Sequence, residues 1–465
     1  MALNNLAGGI QNAIQTNMLQ RVFEDSLRAR LGFRAVAARE PFPANVGETI
    51  TKTRPGLLPA MTTPLSAALN TDLTSGITPQ NLNVEQYTLG VKMYGANTML
   101  NQVTSKVAIA SIFLQNADKL AEQAYRSVDT LAANALFSAG MSGGATTLST
   151  GSATTLNVDS TAGIVPPMVI TINGHAYNVT AVTNPVLTSS GLTAADFAAG
   201  NTVSGPGGFI ATTVAGGSAT ALAVNGVSGF PSSYPYNVKI NNNMYTVTAL
   251  ATPASLTTSG VVAGDFAAGQ NVSAAGGSTI VRLGANPLTI ATILGATNTL
   301  RSNNVPPDDA GFYTCYANPN HLTGLYQDPA FQSFQRGQIN TSEYVKGVVA
   351  ELLGVRIVYT NMGPNGTIGG IPNMNRAIVV GKDALVEGVF TGTGYAGIYG
   401  DDNVTMADGV AHVIREPLDA LLQVVTQSWC YIGGFVAPTD NLTNSTTIPT
   451  ANSAAYKRTV VIESQ

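Results

Sequence analysis

The sequence predicts an α+β fold interrupted by an inserted all-β tandem repeat. Three observations predict it. Residues 104–140 carry a helical seam, residues 141–282 lose nearly all charge and contain an internal duplication, and residues 283–465 alternate strand-like runs with short helices. Helices grouped against an antiparallel or mixed sheet make an α+β pattern.

The helical seam organises the rest. Ser105 to Ala139 contains no Pro and no Gly, and Ala, Leu, Gln, Glu and Lys dominate it; these residues favour helix. Val107, Ala110, Leu114, Ala117, Ala121, Ala124, Val128, Leu131 and Ala135 recur at steps of three and four, which lines one face of a helix. Thr104 or Ser105 can cap its start and Gly140 its end. Glu122 and Arg126 stand one turn apart in the favourable order. At about 1.5 Å per residue the helix is roughly 50 Å long.

Before it, residues 1–35 form an amphipathic N-terminal arm, with Met18, Leu19, Val22, Phe23, Leu27 and Leu31 as its stripe. Arg28, Arg30, Arg34 and Arg39 make the arm locally basic, but Glu24, Asp25 and Glu40 interleave. The expectation is a paired or solvated arm rather than a nucleic-acid contact. Residues 36–103 form an extended β loop. GETITKTRPG and VEQYTLGVKMYGANTML alternate apolar and polar and read as strands. Between them lies a long irregular stretch, expected to be functional or held by another chain.

Within 141–282, GSATTLNVDSTAGI around Gly151 matches GSATALAVNGVSGF around Gly217. ITINGHAYNVTAV matches KINNNMYTVTAL, and SGLTAADFAAGNTVSG matches SGVVAGDFAAGQNVSA, which aligns Asp196 with Asp265. Copy one covers residues ~148–214 and copy two residues ~215–282. Short alternating strands with Asn-Gly or Asn-Asn turns predict a small β-sandwich or roll, an immunoglobulin-like insertion. Each copy is expected to fold around its own core.

In 283–465, Pro287 opens a helix, GFYTCYAN is a buried strand and Pro319 starts a second helix. LLGVRIVYTN, RAIVVG and the final YKRTVVIES read as strands, GKDALVEG as a helical turn, and residues 417–438 as a turn and a strand.

Composition narrows the function. The 465 residues carry a net charge of −4 and only 10% charged residues, with mean hydropathy +0.16; about a quarter charged is usual. Such a surface is either Ser/Thr/Asn-rich or hidden in permanent contacts. No Lys/Arg run marks a nucleic-acid groove. Cys315 and Cys430 stand far apart in apolar surroundings, as free buried thiols do. No basic head with an apolar run stands at the N-terminus and no stretch approaches a membrane helix, so function without export is expected.

No catalytic, cofactor-binding or metal site is assigned. His175 reads as a surface turn residue, His321 as a helix-start residue, and His412 as a packed strand residue. None has a second His at ligand spacing. GTGYAG, with Gly392, Gly394 and Gly397, lacks the following helix that a dinucleotide fingerprint requires. Asp401, Asp402 and Asp408 lack calcium-loop spacing. The sequons at Asn178 and Asn403 are expected by chance in such a composition.

The order of parts resembles the major capsid proteins of tailed double-stranded DNA bacteriophages, the HK97-like coat proteins. The motifs are LRARLGFRAVAAREPFPANVGETI (Leu27 to Ile50), YTLGVKMYGANTML, YTCYANPNHLTGLYQDPAFQSF, VVAELLGVRIVYTN, RAIVVGKDAL and LLQVVTQSWCYIGGFVAP followed by YKRTVVIES. They cover residues 1 to ~140 and ~283 to 465. The resemblance implies an HK97-like capsid fold: N-terminal arm, extended loop, spine helix and axial and peripheral domains. It implies a non-enzymatic virion protein assembled in the host cytoplasm, with itself as hexamers and pentamers for its main partner. Portal, scaffolding and decoration proteins are further implied partners. The genome is enclosed without sequence-specific binding, and no membrane is involved. A secreted β-repeat surface-layer or adhesin protein is the alternative.

Overall fold

The computed structural model describes residues 32–42, 47–55, 84–101, 112–335, 348–390, 404–415, 424–437 and 458–465, with short breaks between 153 and 278 and at 369–370. Strands β1 (Ala37–Phe42), β2 (Thr49–Pro55), β3 (Val84–Gly90) and β4 (Lys92–Asn101) precede helix α1 (Ile112–Met141). Next come β5 (Gly144–Ser152), β6 (Thr155–Val158), β7 (Met168–Ile172), β8 (His175–Thr183), β9 (Val186–Ser189), β10 (Thr202–Ser204) and β11 (Ile210–Thr212). β12 (Ala221–Ala223), β13 (Tyr236–Ile240), β14 (Asn243–Thr252), β15 (Ser255–Thr258) and β16 (Asn271–Ala274) follow. β17 (Thr279–Arg282), α2 (Ile290–Ser302), β18 (Tyr313–Ala317), α3 (Pro319–Gln327) and α4 (Pro329–Gln335) come next. The rest is β19 (Val348–Leu352), β20 (Val355–Tyr359), β21 (Asn365–Ile368), β22 (Ile371–Val380), β23 (Leu385–Phe390), β24 (Val404–Ala407), β25 (Val410–Arg415), β26 (Val424–Val436) and β27 (Thr459–Ser464). Most of the expected N-terminal arm, the middle of the extended loop, residues 102–111, and GTGYAG with Asp401 and Asp402 lie outside the described residues.

The chain divides into two units, the first comprising Met1–Thr51, Thr88–Ala135 and Leu385–Ala437. Its sheet runs β1-β23-β26-β25-β24, and β4 also pairs with β26, from Lys92 opposite Gly433 to Asn101 opposite Val424. Leu120, Ala121, Ala124 and Val128 of α1 pack with Val410, Trp429 and Tyr431 of this sheet. Two side-chain bonds fix the helix there: Asn116 Nδ2 donates to Gln427 Oε1 at 2.7 Å, and Trp429 Nε1 to Gln123 Oε1 at 3.2 Å.

α1 is a helix because nothing in residues 112–139 breaks one, and its many alanines lose no side-chain freedom. The buried line runs Ala117, Ala121, Ala124, Val128, Ala132, Leu136, whereas Leu131 and Ala135 of the expected stripe are only half-buried. The expected stripe kept a 3.5-residue period. A straight helix turns every 3.6 residues and drifts about 20° per heptad from it, so after two heptads the seam moves one residue on. The helix also passes Gly140, the expected stop, and Gly143 at φ 77° turns the chain.

The second unit comprises Lys52–Tyr87, Leu136–Ala384 and Pro438–Gln465. Its mixed sheet runs β17-β27-β22-β18-β20-β19, with β21 on β22. α2 and α3 pack on it through Ile293, Leu300, Leu322 and Leu325 against Cys315, Ile357, Val379 and Ile462. Thr289 caps α2 and Asn318 caps α3, so Pro287 stands two residues ahead of its helix's cap rather than inside it. LLGVRIVYTN is a hairpin, not one strand, turning at Leu353 and Gly354 with φ 52° and 83°. GKDALVEG is half turn and half strand: its second half, Leu385–Gly388, belongs to β23, which is claimed by β1 on one edge and β26 on the other.

The duplicated stretch also lies in this unit, and here the structure departs from expectation. Strands β15-β6-β5-β16-β7-β8 close into a six-stranded barrel. A second six-stranded sheet runs β11-β10-β13-β14-β9-β12, and the bridge between Thr213 and Val224 stands where β5 meets β6 in the barrel. With the copy boundaries above, the barrel takes β5–β8 from the first copy and β15 and β16 from the second, and the other sheet takes three strands from each. Two cores exist, one around Leu156, Ile170 and Leu256, the other around Leu187, Val203, Val238 and Val247. Each is assembled from both copies, so neither copy folds around its own core. Equivalent bonds relate the modules by an approximate two-fold: Thr161 N donates to Asn225 O and Val227 N to Asp159 O, both at 2.8 Å, around the Ser160–Gly226 bridge.

Candidate functional site: buried charge clusters and paired carboxylate latches

A chain this poor in charge uses its charges in clusters. In the first unit, Arg34 sits in the 3-10 turn Phe33–Val36, just before β1. Its guanidinium meets the fully buried Glu387 of β23, with Nη2 2.7 Å from Oε1 and Nε 3.0 Å from both carboxylate oxygens. Nη1 reaches Asp408 at 3.0 Å. Arg39 adds contacts to Glu387 at 3.5 Å and Asp408 at 2.8 Å, and Tyr431 donates its hydroxyl to Glu387 at 2.9 Å. Two cations thus face two carboxylates, and a buried carboxylate is tolerable only when so satisfied. Beside them, the backbone N–H of Arg34 donates to Asp129 of α1 at 3.3 Å. Burial pushes the Asp129 carboxyl up to about 6, against the pull of that bond and of Arg34.

The second cluster joins the β-modules to the mixed sheet. Glu463 of β27 accepts from Arg376 of β22 and Arg282 of β17, both at 2.9 Å. Arg376 continues to Ser228 Oγ at 2.8 Å and lies over the Phe209 ring at 4.8 Å, both in the second module. Arg282 reaches the carbonyl of Ala145 in the barrel at 3.2 Å. Burial pushes Glu463 up, but the two guanidiniums more than offset it and hold its carboxyl below the ordinary range. Asp159 shows what this junction demands. Its twin in the repeat is Asn225, and both accept the same backbone bond, from Thr146 and Thr212 respectively. Only Asp159 faces the Arg282 charge; burial nevertheless raises its pKa.

The aligned aspartates are latches. Asp196, from copy one, accepts from Asn241, Asn243 and Tyr245 of copy two. Asp265, from copy two, accepts from Asn173 and Tyr177 of copy one and pairs with His175 Nδ1 at 2.8 Å. Each carboxylate therefore grips the hairpin turn of the other repeat. These bonds, led by the tyrosine hydroxyl, hold Asp196 down at about 2 and Asp265 below the ordinary range.

The flagged residues fall as follows. His175 is exposed and serves the Asp265 latch. His321 and His412 are fully buried, and burial lowers both to about 4, so they are neutral imidazoles at neutral pH. Cys315 and Cys430 are buried, and burial pushes the Cys315 thiol up to about 12. Arg34 and Arg39 each pair with Asp408. The structure brings no His, Cys, Asp or Glu together in a metal-holding group among the described residues, and no described helix is long and apolar enough to cross a membrane. Sequence reasoning missed Glu387, Glu463, Arg282, Arg376 and Asp159. The available signal was a lone charge inside an apolar, strand-like run.

No family model matches the chain, and no curated protein matches it. Solved structures do. The chain is similar to phage capsids. With the capsid of the cyanophage P-SCSP1u it shares 10% identity at a TM-score of 0.44, over 94% of this chain and 89% of that one. With the capsid of Ralstonia phage GP4 the values are 11% and 0.44, over 92% and 86%. With the cyanophage Pam1 capsid asymmetric unit they are 10% and 0.42, over 90% and 85%.

Proposed function

We propose that this chain is the major capsid protein of a tailed bacteriophage, assembling as hexamers and pentamers into an icosahedral shell around double-stranded DNA. The observation that carries the reading is the order of parts. A strand pair (β2, β3), whose members are separated by 28 residues of chain, precedes the 30-residue α1. A helix-covered mixed sheet follows. The motif Leu27 to Ile50 supports it, since Arg34 and Arg39 of that motif anchor the described start of the chain on Glu387 and Asp408.

In this reading the arm (1–35) and extended loop (36–103) lie on neighbouring copies, and residues 104–140 form the spine. Residues 283–465 form the axial and peripheral parts, and 141–282 an insertion on the outer side. Many modest contacts per subunit then add up to a stable particle. Portal, scaffolding and decoration proteins would be its partners, and the host cytoplasm its place of assembly. Electron microscopy of the expressed chain tests this. Closed shells are expected; flat lattices would favour a surface-layer protein, and a compact monomer at high concentration would remove both readings.

A further inference from the structure

The chain crosses between the two β-modules at two places only two residues long: Asn184–Pro185 between β8 and β9, and Pro253–Ala254 between β14 and β15. β15 occupies, in the barrel, the place that β9 would fill if copy one closed on itself. It lies beside β8 with Ser255 opposite Thr183 and Leu256 opposite Val182. β9 in turn lies beside β14, with Val186 opposite Thr252. A self-closed copy would therefore need a hairpin whose two-residue loop is Asn184–Pro185, and its twin one whose loop is Pro253–Ala254.

Two-residue hairpins between twisted strands favour type I′ or II′ turns, because types I and II splay the strands, and both favoured turns need positive φ at the first loop residue. Proline is fixed near −65°. Pro253, at the first position, excludes both turns. Pro185, at the second, excludes type I′. It also drives Asn184 to extended ψ, which type II′ does not permit. The hairpins between β7 and β8 and between β13 and β14 use suitable residues, Asn173–Gly174 at φ 49° and 84° in the first and Asn241–Asn242 at 47° and 71° in the second; the isolated Ser218–Ala221 bridge closes over two residues, Ala219–Thr220, without positive φ. Both crossings are also received alike in the module they enter. Pro185 O accepts from Val224 N, and Ala254 O from Val158 N, each at 3.1 Å.

We propose that Pro185 and Pro253 are the residues that determine strand exchange: they prevent either repeat from closing on itself and commit residues 144–274 to one reciprocal, cooperative unit. Exchange stays within one chain because the tethered twin is at far higher effective concentration than a second copy.

Paired cysteines in the full chain test this, against a background of two buried native thiols. Exchanged modules place Ala181 opposite Thr257. Self-closed copies would place Ala181 opposite Thr188, as Ala249, the twin of Ala181, now lies opposite Thr188. On oxidation, A181C/T257C is expected to link within one chain and A181C/T188C not to link. Adding P185G with P253N and A254G supplies Asn-Gly at both loops, and the A181C/T188C link should then dominate. The milder P185A/P253A pair should yield some of that link even if the stronger variant fails to fold. A dominant A181C/T188C link with the native hinges overturns the proposal. So does an unchanged A181C/T257C preference in both hinge variants.

Discussion

Asp196 and Asp129 are buried carboxylates with opposite pH behaviour. Asp196 is held at about 2 by hydrogen bonds led by Tyr245. A folded-state value below the unfolded one adds stability above the unfolded pKa, and that stability fades as pH falls toward the folded one. Hydrogen-exchange protection factors of β13 and β14, taken against the intrinsic rate at each pH, should thus be flat above pH ~4 and fall between about 4 and 2. Asp196→Asn should remove that acid limb. Asp129, raised to about 6 by burial, has the other sign. The folded state binds its proton more tightly, so stability should rise as pH falls from about 6 to about 4. Asp129→Asn, which can still accept the Arg34 N–H, should flatten that slope in thermal melts. Glu463 is a third case: removing it strands two guanidiniums, and loss of one partner from a buried pair costs about 3–5 kcal/mol. Glu463→Ala should show that loss in denaturant unfolding, and a loss below ~1 kcal/mol would mean that water reaches the cluster.

At the scale of elements, α1 carries a test at Gly140. A Cβ there would stand 2.7 Å from Val461 Cγ2 and 3.3 Å from Ile378 Cδ1, both on buried strands. Alanine gains about 1 kcal/mol of helix propensity over glycine, but overpacking costs about 1–3 kcal/mol. Val461 is short, stiff and central, so overpacking should win. Gly140→Ala should lower the melting temperature; a rise would mean that the helix end can shift. The helix was legible in sequence because its signal is local. So were the Asn173–Gly174 turn, the helix start at Pro319 and the all-buried β18. β23 was misread because its pattern is short and its identity comes from β1 and β26, far away in the chain. Strand exchange was invisible to pattern, since a strand looks the same whichever neighbour it joins; only the prolines at its crossings gave a sign. The charge clusters were missed for the same reason: Arg34 and Glu387 stand 353 residues apart.

For the whole molecule, the modules' skin matters most. Between residues 141 and 281 the ionisable acids and bases are Asp159, His175, Asp196, Lys239 and Asp265, and all three aspartates are buried. Among the described residues their surface is largely Ser, Thr, Asn and Gly, with Leu148, Val169, Tyr234, Met244 and Val262 also exposed, and almost no formal charge, so salt should change their contacts little. Removing Gly143–Ser278 should still allow particles to begin forming. It takes Ser228 from Arg376 and the Ala145 carbonyl from Arg282, so such particles should fall apart at lower temperature than the full-length ones, as fluorimetry and microscopy would show. Failure of any particle to start would make the insertion part of the assembly core.

β27 lies between β17 and β22, and every residue in it is buried. The mixed sheet therefore has a gap between β17 and β22 until residues 459–464 have been made and laid in. A ribosome that stalls, or a protease that clips the chain shortly before Thr459, leaves a product whose helices have no finished floor to rest on. Strand order thus makes the fold sensitive to truncation: only a polypeptide translated through Ser464 can complete this sheet.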